Sequence, residues 1–130
     1  VFLYPERQSR LTGMALSTYQ LLIRVPESRQ IRIGQLGIFD FPAGSYVYTG
    51  SAKRHPEARI ARHLARSKRL RWHIDYLLAA SGVEVVEVLR FDVAECEINR
   101  LTAGRIVVAR FGASDCRAGC GSHLKYRTAG

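Results

Sequence analysis

The segment "YVYTGSAKRHPEARIARHL", residues 46–64, constrains the fold more than any other stretch of the chain. Tyr46 and Tyr48 alternate, as side chains on one face of a β-strand must, and Gly50 closes the apolar run. Pro56 suits the first turn of a helix, and Glu57 complements the positive end of its dipole. A strand, a short turn and a helix folded back beside it are therefore predicted. Projected at about 100° per residue, Arg59, Arg62, His63, Arg66 and Arg69 share an arc of about 120°, with Ile60 and Leu64 outside it. One edge of the helix packs and the other is basic.

That edge is part of a wider excess of 20 Lys and Arg over 11 Asp and Glu, a formal net charge of +9. Lys53, Arg54, Arg59, Arg62, Arg66, Lys68, Arg69 and Arg71 lie in one stretch opposed only by Glu57. Charge concentrated in this way predicts an anionic partner, with nucleic acid first among the choices. The plainer reading is a solvated basic face.

With 130 residues, 47% of them hydrophobic, the chain can bury one core and is too short for two ordinary domains. It has no run of about 18 uncharged apolar residues for a bilayer, and the charges in "VFLYPERQSR" fall where a signal peptide needs apolar residues. A cytoplasmic protein without a membrane partner is expected. Three cysteines, an odd number, argue against a disulfide framework and leave reduced thiols or a metal site. Residues 1–17 carry no clear period and read as an N-terminal extension to a single domain at 18–127.

Within that domain "TYQLLIRV" reads as a central strand ending at Pro26, and "RQIRIGQLG" as a half-exposed partner strand. "SYVYTG" is the next strand, after a turn at Pro42 and Gly44. "WHIDYLLAA" is a helix apolar nearly all round, in which His73 and Asp75 need polar partners. "VEVVEVLRF" is a strand and "VAECEINRLTAG" a short helix closed by Gly104. "RIVVARFG" and "HLKYR" are two further short β candidates. The fold class is α+β, a small and mainly antiparallel sheet flanked by helices.

The strings "STYQLLIRV", "YVYTGSA", "RWHIDYLL", "CEINRL" and "FGASDCRAGCGSHLKY" resemble the domain of unknown function 123 family, which is placed in the GIY-YIG nuclease superfamily. The resemblance runs from about Thr18 to Tyr126. It implies a catalytic surface with Tyr19 and Tyr48 as the strand tyrosines and Arg59 as the helix arginine, followed four residues later by His63. Glu97 in "EINRL" is implied as sole protein ligand of one divalent cation, Mg²⁺ or Mn²⁺. Such enzymes hydrolyse phosphodiesters. A fixed guanidinium suits the charge that gathers on the phosphate oxygens, and a hard cation suits a carboxylate. "STY" stands where the superfamily has glycine and an aliphatic residue before tyrosine, and "RIGQLGIFDF" lengthens the interval to Tyr48 as an inserted strand does. Fusions of related domains to endonuclease III-type repair glycosylases imply a DNA-repair setting and an association with such a glycosylase.

Each assignment has an alternative. Strand tyrosines also serve as packed aromatics, helix arginines as solvated charges, and Glu95 rivals Glu97 from the other side of the stripe formed by Ile98 and Leu101. Cys116, Cys120 and His123 have spacings compatible with a zinc knuckle, with Cys96 available as a fourth ligand to a structural Zn²⁺; buried thiols are the other reading. Two functions follow. One is a metal-dependent endonuclease acting on DNA in preference to RNA. The other is a non-catalytic nucleic-acid-binding module that uses Lys53, Arg54, Arg62, Arg66 and Arg69, stabilised by the Cys/His zinc site.

Overall fold

A computed structural model describes residues 16–113, 116 and 119–128. The greater part of the proposed N-terminal extension, residues 1–15, lies outside the described residues. Strand β1 (Thr18–Val25) sits inside a four-stranded sheet between β4 (Gly44–Ser51) and β5 (Glu84–Phe91). Strand β6 (Leu124–Thr128) pairs with the far edge of β4, and each of the three pairings is antiparallel. The fold is α+β, as its sequence predicts. Strands β2 (Arg29–Ile33) and β3 (Gly37–Phe41) form a separate hairpin, joined through a single 3-10 turn at Gly34–Leu36. "RQIRI" therefore pairs with the inserted "GIFDF" and not with the central strand.

Register explains why one face of the sheet is aromatic. Tyr19 lies opposite Gly50 on β4 and Arg90 on β5, and Leu21 opposite Tyr48 and Val88. Ile23 lies opposite Tyr46 and Val85, while Tyr48 and Tyr46 in turn face Leu124 and Tyr126 on β6. Directly opposed residues share a face, so Tyr19, Leu21, Ile23 and Val25 form with Tyr46 and Tyr48 one buried surface. Helices α1 (Pro56–Leu64) and α2 (His73–Leu78) contribute Ile60, Ile74 and Leu77 to this core. Arg90, itself buried, donates to the Leu16 carbonyl and pairs at 3.2 Å with Glu57 in the first turn of α1, fastening that helix across the sheet.

The other elements depart from a purely apolar plan. Helix α3 (Glu95–Leu101) does not bury the stripe of Ile98 and Leu101, because Leu101 is 75% exposed and Asn99 is the buried residue. Polar contacts hold the helix instead: Asn99 Nδ2 donates to the Ser122 carbonyl, and Lys125 Nζ to the carbonyls of Asn99 and Thr102. "RIVVARFG" forms no strand; it is a run of turns after a single bridge between Arg105 and Tyr126, with Val108 and Phe111 buried. Among the described residues no helix is long and apolar enough to cross a membrane.

Gly50 is fixed by its neighbours and not by its backbone. A Cβ there would stand 2.8 Å from Tyr19 Oη, 2.9 Å from its Cζ and 3.1 Å from Tyr48 Cε2. Gly50→Ala should therefore push two buried rings apart and cost about 1–3 kcal/mol, the range for overpacking a filled core. Denaturant titration measures it, and an unchanged midpoint would show that the tyrosines do not lie over this glycine.

Candidate functional site

Beyond Gly50 the tyrosine face opens into a cleft of about 720 Å³ that reaches both tyrosines, Arg59, His63, Trp72 and Glu95. His55, in the left-handed region at φ 52°, reverses the chain ahead of Pro56, so that α1 runs back over the sheet. His63, 2% exposed, then sets its Nε2 atom 2.6 Å from Tyr19 Oη. Burial, with the cations Lys68, Arg62 and Arg59 nearby, holds His63 down at about 4 against the opposing pull of Asp75, so the ring is neutral at neutral pH. In the tautomer with its proton on Nδ1 it accepts the Tyr19 hydroxyl proton, and Nδ1 is a buried donor with no protein partner among the described residues. Burial also raises Tyr19 and Tyr48 well above the usual phenol range; for Tyr19 its fellow tyrosine adds to this, for Tyr48 Glu95 does, and Arg59 opposes in both. Neither phenol ionises unaided at neutral pH.

Arg59 is held at the mouth of the cleft. Its Nη1 donates to the Ser51 carbonyl at 2.9 Å, and its guanidinium lies 4.7 Å from the Trp72 ring centroid. Arg62 and Arg71 approach the same ring at 4.3 and 5.3 Å. Trp72 and Arg71 line the cleft but carry no periodic signal in the sequence. A single tryptophan in an arginine-rich stretch, next to a helix start, was the available clue.

The basic arc predicted for α1 is divided by the fold. The helix ends at Leu64, Ala65 is extended, and Lys68 Nζ caps the His63 carbonyl, so Arg66 and Arg69 lie on the exposed segment that follows. Arg62 is committed to structure: it forks onto buried Asp75 at 2.8 and 3.0 Å and donates to the Arg69 carbonyl. Asp75 also accepts the backbone N–H groups of Arg71 and Trp72 at the start of α2. These contacts outweigh its burial and keep its carboxyl below the usual range. Lys53 and Arg54 are exposed in the turn before α1.

Glu97 does not reach the cleft. It is exposed, whereas Glu95 lines the cleft, because two residues of helix turn a side chain about 200° to the other side. Glu95 Oε1 accepts from Ser51 Oγ at 2.6 Å and Oε2 pairs with His123 Nδ1 at 2.6 Å. Burial disfavours the Glu95 carboxylate, but these bonds prevail and lower its pKa. For His123, burial opposes protonation, and Glu95 with the neighbouring thiols lifts the imidazole to about 9.

On the far side of His123 stand the cysteines. One ligand atom from each of Cys96, Cys116, Cys120 and His123 lies within 4.8 Å of every other, an arrangement that can hold a metal such as zinc. Cys96 Sγ is 3.5 Å from Cys116 Sγ and 4.0 Å from His123 Nε2, and all three cysteines are free thiols. Cys96, Cys116 and His123 also line the cleft, so the cluster opens onto it beside the Glu95–His123 contact.

The buried His63 sets an acid limit. Its proton affinity is lower in the fold than in the unfolded chain, so its contribution is full above about pH 6.5 and fades as pH falls toward about 4, by on the order of 3 kcal/mol. His63→Gln removes this dependence, and the stability gap between the two proteins should narrow over that interval. Denaturant titrations at pH 7, 5.5 and 4 check it; a constant gap would mean that His63 takes up its proton as readily in the fold as in the unfolded chain.

No curated protein and no solved structure matches this chain. A family model described as a domain of unknown function, DUF123, matches residues 18–130, the whole of the sheet and its helices. The chain belongs to the DUF123 family.

Proposed function

We propose that the chain is a phosphodiester-cleaving nuclease of the GIY-YIG type, acting on DNA, with Glu95 in the role that "EINRL" suggested for Glu97. The observation that carries this reading is the gathering of Tyr19, Tyr48, Arg59, His63 and Glu95 on one cleft, with the Tyr19 hydroxyl already bonded to a neutral imidazole. A raised phenol cannot serve as a standing base. It can relay a proton, taking one from an attacking water as its own passes to His63 Nε2. Tyr48, the diagonal neighbour of Tyr19 on the same face, orients water or phosphate. Arg59, fixed by Ser51 and Trp72, meets the charge that develops on the phosphate oxygens without reorganising. Arg71, Lys53, Arg54, Arg66 and Arg69 are exposed cations for the flanking phosphates.

A divalent cation fits the Glu95 carboxylate, which is 26% exposed and keeps lone pairs on both oxygens beyond the bonds from Ser51 and His123. Mg²⁺ or Mn²⁺ held there would supply Lewis-acid stabilisation of the leaving oxygen.

Supercoiled plasmid, branched DNA and structured RNA incubated with Mg²⁺, Mn²⁺ or EDTA test the reading. Metal-dependent cleavage of DNA is expected, reduced about 100-fold or more by Arg59→Ala or Glu95→Gln while DNA affinity stays within a few fold. Glu97→Gln should cleave as the unmodified protein does. Tight binding with no cleavage of any substrate by any ion would leave a non-catalytic binding module in place of the nuclease.

A further inference from the structure

We propose that Cys96, Cys116, Cys120 and His123 hold a zinc ion in a closed tetrahedral site, and that this ion, acting through His123, sets the position of the Glu95 carboxylate in the cleft. The four ligand types are those of a structural zinc site. Bonds of about 2.3 Å to sulfur and 2.0 Å to nitrogen at tetrahedral angles imply edges of about 3.8 Å between two sulfurs and about 3.5 Å between sulfur and nitrogen. The Cys96–Cys116 edge of 3.5 Å and the Cys96–His123 Nε2 edge of 4.0 Å each stand within about 0.5 Å of the tetrahedral values, and no ligand pair exceeds 4.8 Å.

A chance cluster of half-buried thiols would explain the sulfurs but not the histidine. His123 is 3% exposed and turns Nε2 toward the sulfurs while Nδ1 meets Glu95 Oε2 at 2.6 Å. Carboxylate on one nitrogen and metal on the other is how metal-bound imidazoles are oriented, since the carboxylate fixes the tautomer and raises the basicity of the ligating nitrogen. The backbone prepares the same pose. The His123 N–H donates to the Phe111 carbonyl, and its carbonyl accepts from the Thr49 N–H beside the "YTG" strand end. Cys96 follows Glu95 directly at the start of α3. An ion at the cluster therefore ties α3 to the segment carrying Cys116, Cys120 and His123, and it holds the imidazole that bonds the cleft carboxylate. With four protein ligands the centre has no open position, so its role is to position and not to activate water.

The test needs no nucleic acid and so stands apart from the nuclease reading. Elemental analysis of the full chain, purified without added zinc, should give about one equivalent. Cobalt substitution should give the intense visible absorption of a tetrahedral thiolate site. In chelator competition Glu95→Ala should weaken zinc retention by about 10- to 100-fold, the usual cost of losing a carboxylate behind a ligating histidine, with Glu97→Ala as a neutral control. Cys120→Ser should lose the thiolate absorption. Less than about a tenth of an equivalent of metal, or a Cys96–Cys116 disulfide found by thiol counting and mass, would overturn the site. Zinc held equally well by Glu95→Ala would overturn the link to the cleft.

Discussion

The hydrogen bond between Tyr19 and His63 is the constraint from which the cleft follows. Both groups are buried, and a buried polar group without a partner is costly, so the helix that supplies His63 has little freedom over the strand that supplies Tyr19. The bond forms because Gly50 stands opposite Tyr19 and leaves room for the ring to lie across the neighbouring strand. Once α1 is seated, Arg59 one turn earlier faces the same opening, and the Ser51 carbonyl at the end of β4 receives its guanidinium. The Glu57–Arg90 pair fixes the other end of the helix. The aromatic face thus sets where the arginine goes.

Glu95 is the second point on which several elements depend. Its two oxygens join β4 through Ser51 and the cysteine-bearing segment through His123. Glu95 thus lines the cleft beside Arg59 and Arg71 while it orients an imidazole at a thiol cluster, so one fixed negative charge serves both places. Gly112 supports it from the side. It has φ 66°, and a Cβ there would stand 2.9 Å from Tyr48 Cε1 and 3.5 Å from His123 Cβ, so the loop passes close against both.

The legible part of the sequence was the part governed by local periodicity. β1, β4, β5 and the start of α1 show alternation, proline placement and turn residues, and the tyrosines, Arg59 and His63 sit on those elements. Where tertiary contacts override period, the sequence misleads. The basic arc of α1 ran past its true end because arginine has good helix propensity, and nothing in the local pattern shows that Lys68 returns to cap His63. "EINRL" points to Glu97 through its likeness to the superfamily motif, but a motif does not say which side of α3 meets the cleft, and with Asn99 as the buried residue of that helix it is Glu95 that does. "RIVVARFG" has strand composition, yet among the described residues it bridges the sheet only at Arg105 and then turns. The cysteines could be listed as ligands, but not shown to meet, because Cys96 lies 20 residues from its nearest partner.

The arginines divide into two populations that composition alone merges. Arg62 neutralises Asp75 inside the fold and holds the segment before α2, and Arg59 is fixed by a carbonyl and an indole. Neither can follow a mobile ligand. Lys53, Arg54, Arg66, Arg69 and Arg71 remain exposed, and Arg71 lines the cleft. Positive charge at the rim of a cleft with an aromatic floor concentrates an anion there before any specific contact forms. The rigid guanidinium at the mouth then matters only for the group that enters. In the proposed nuclease, attraction over distance and discrimination at the site would fall to different arginines of one short stretch, and Trp72 joins the two groups: Arg59, Arg62 and Arg71 all lie over its ring.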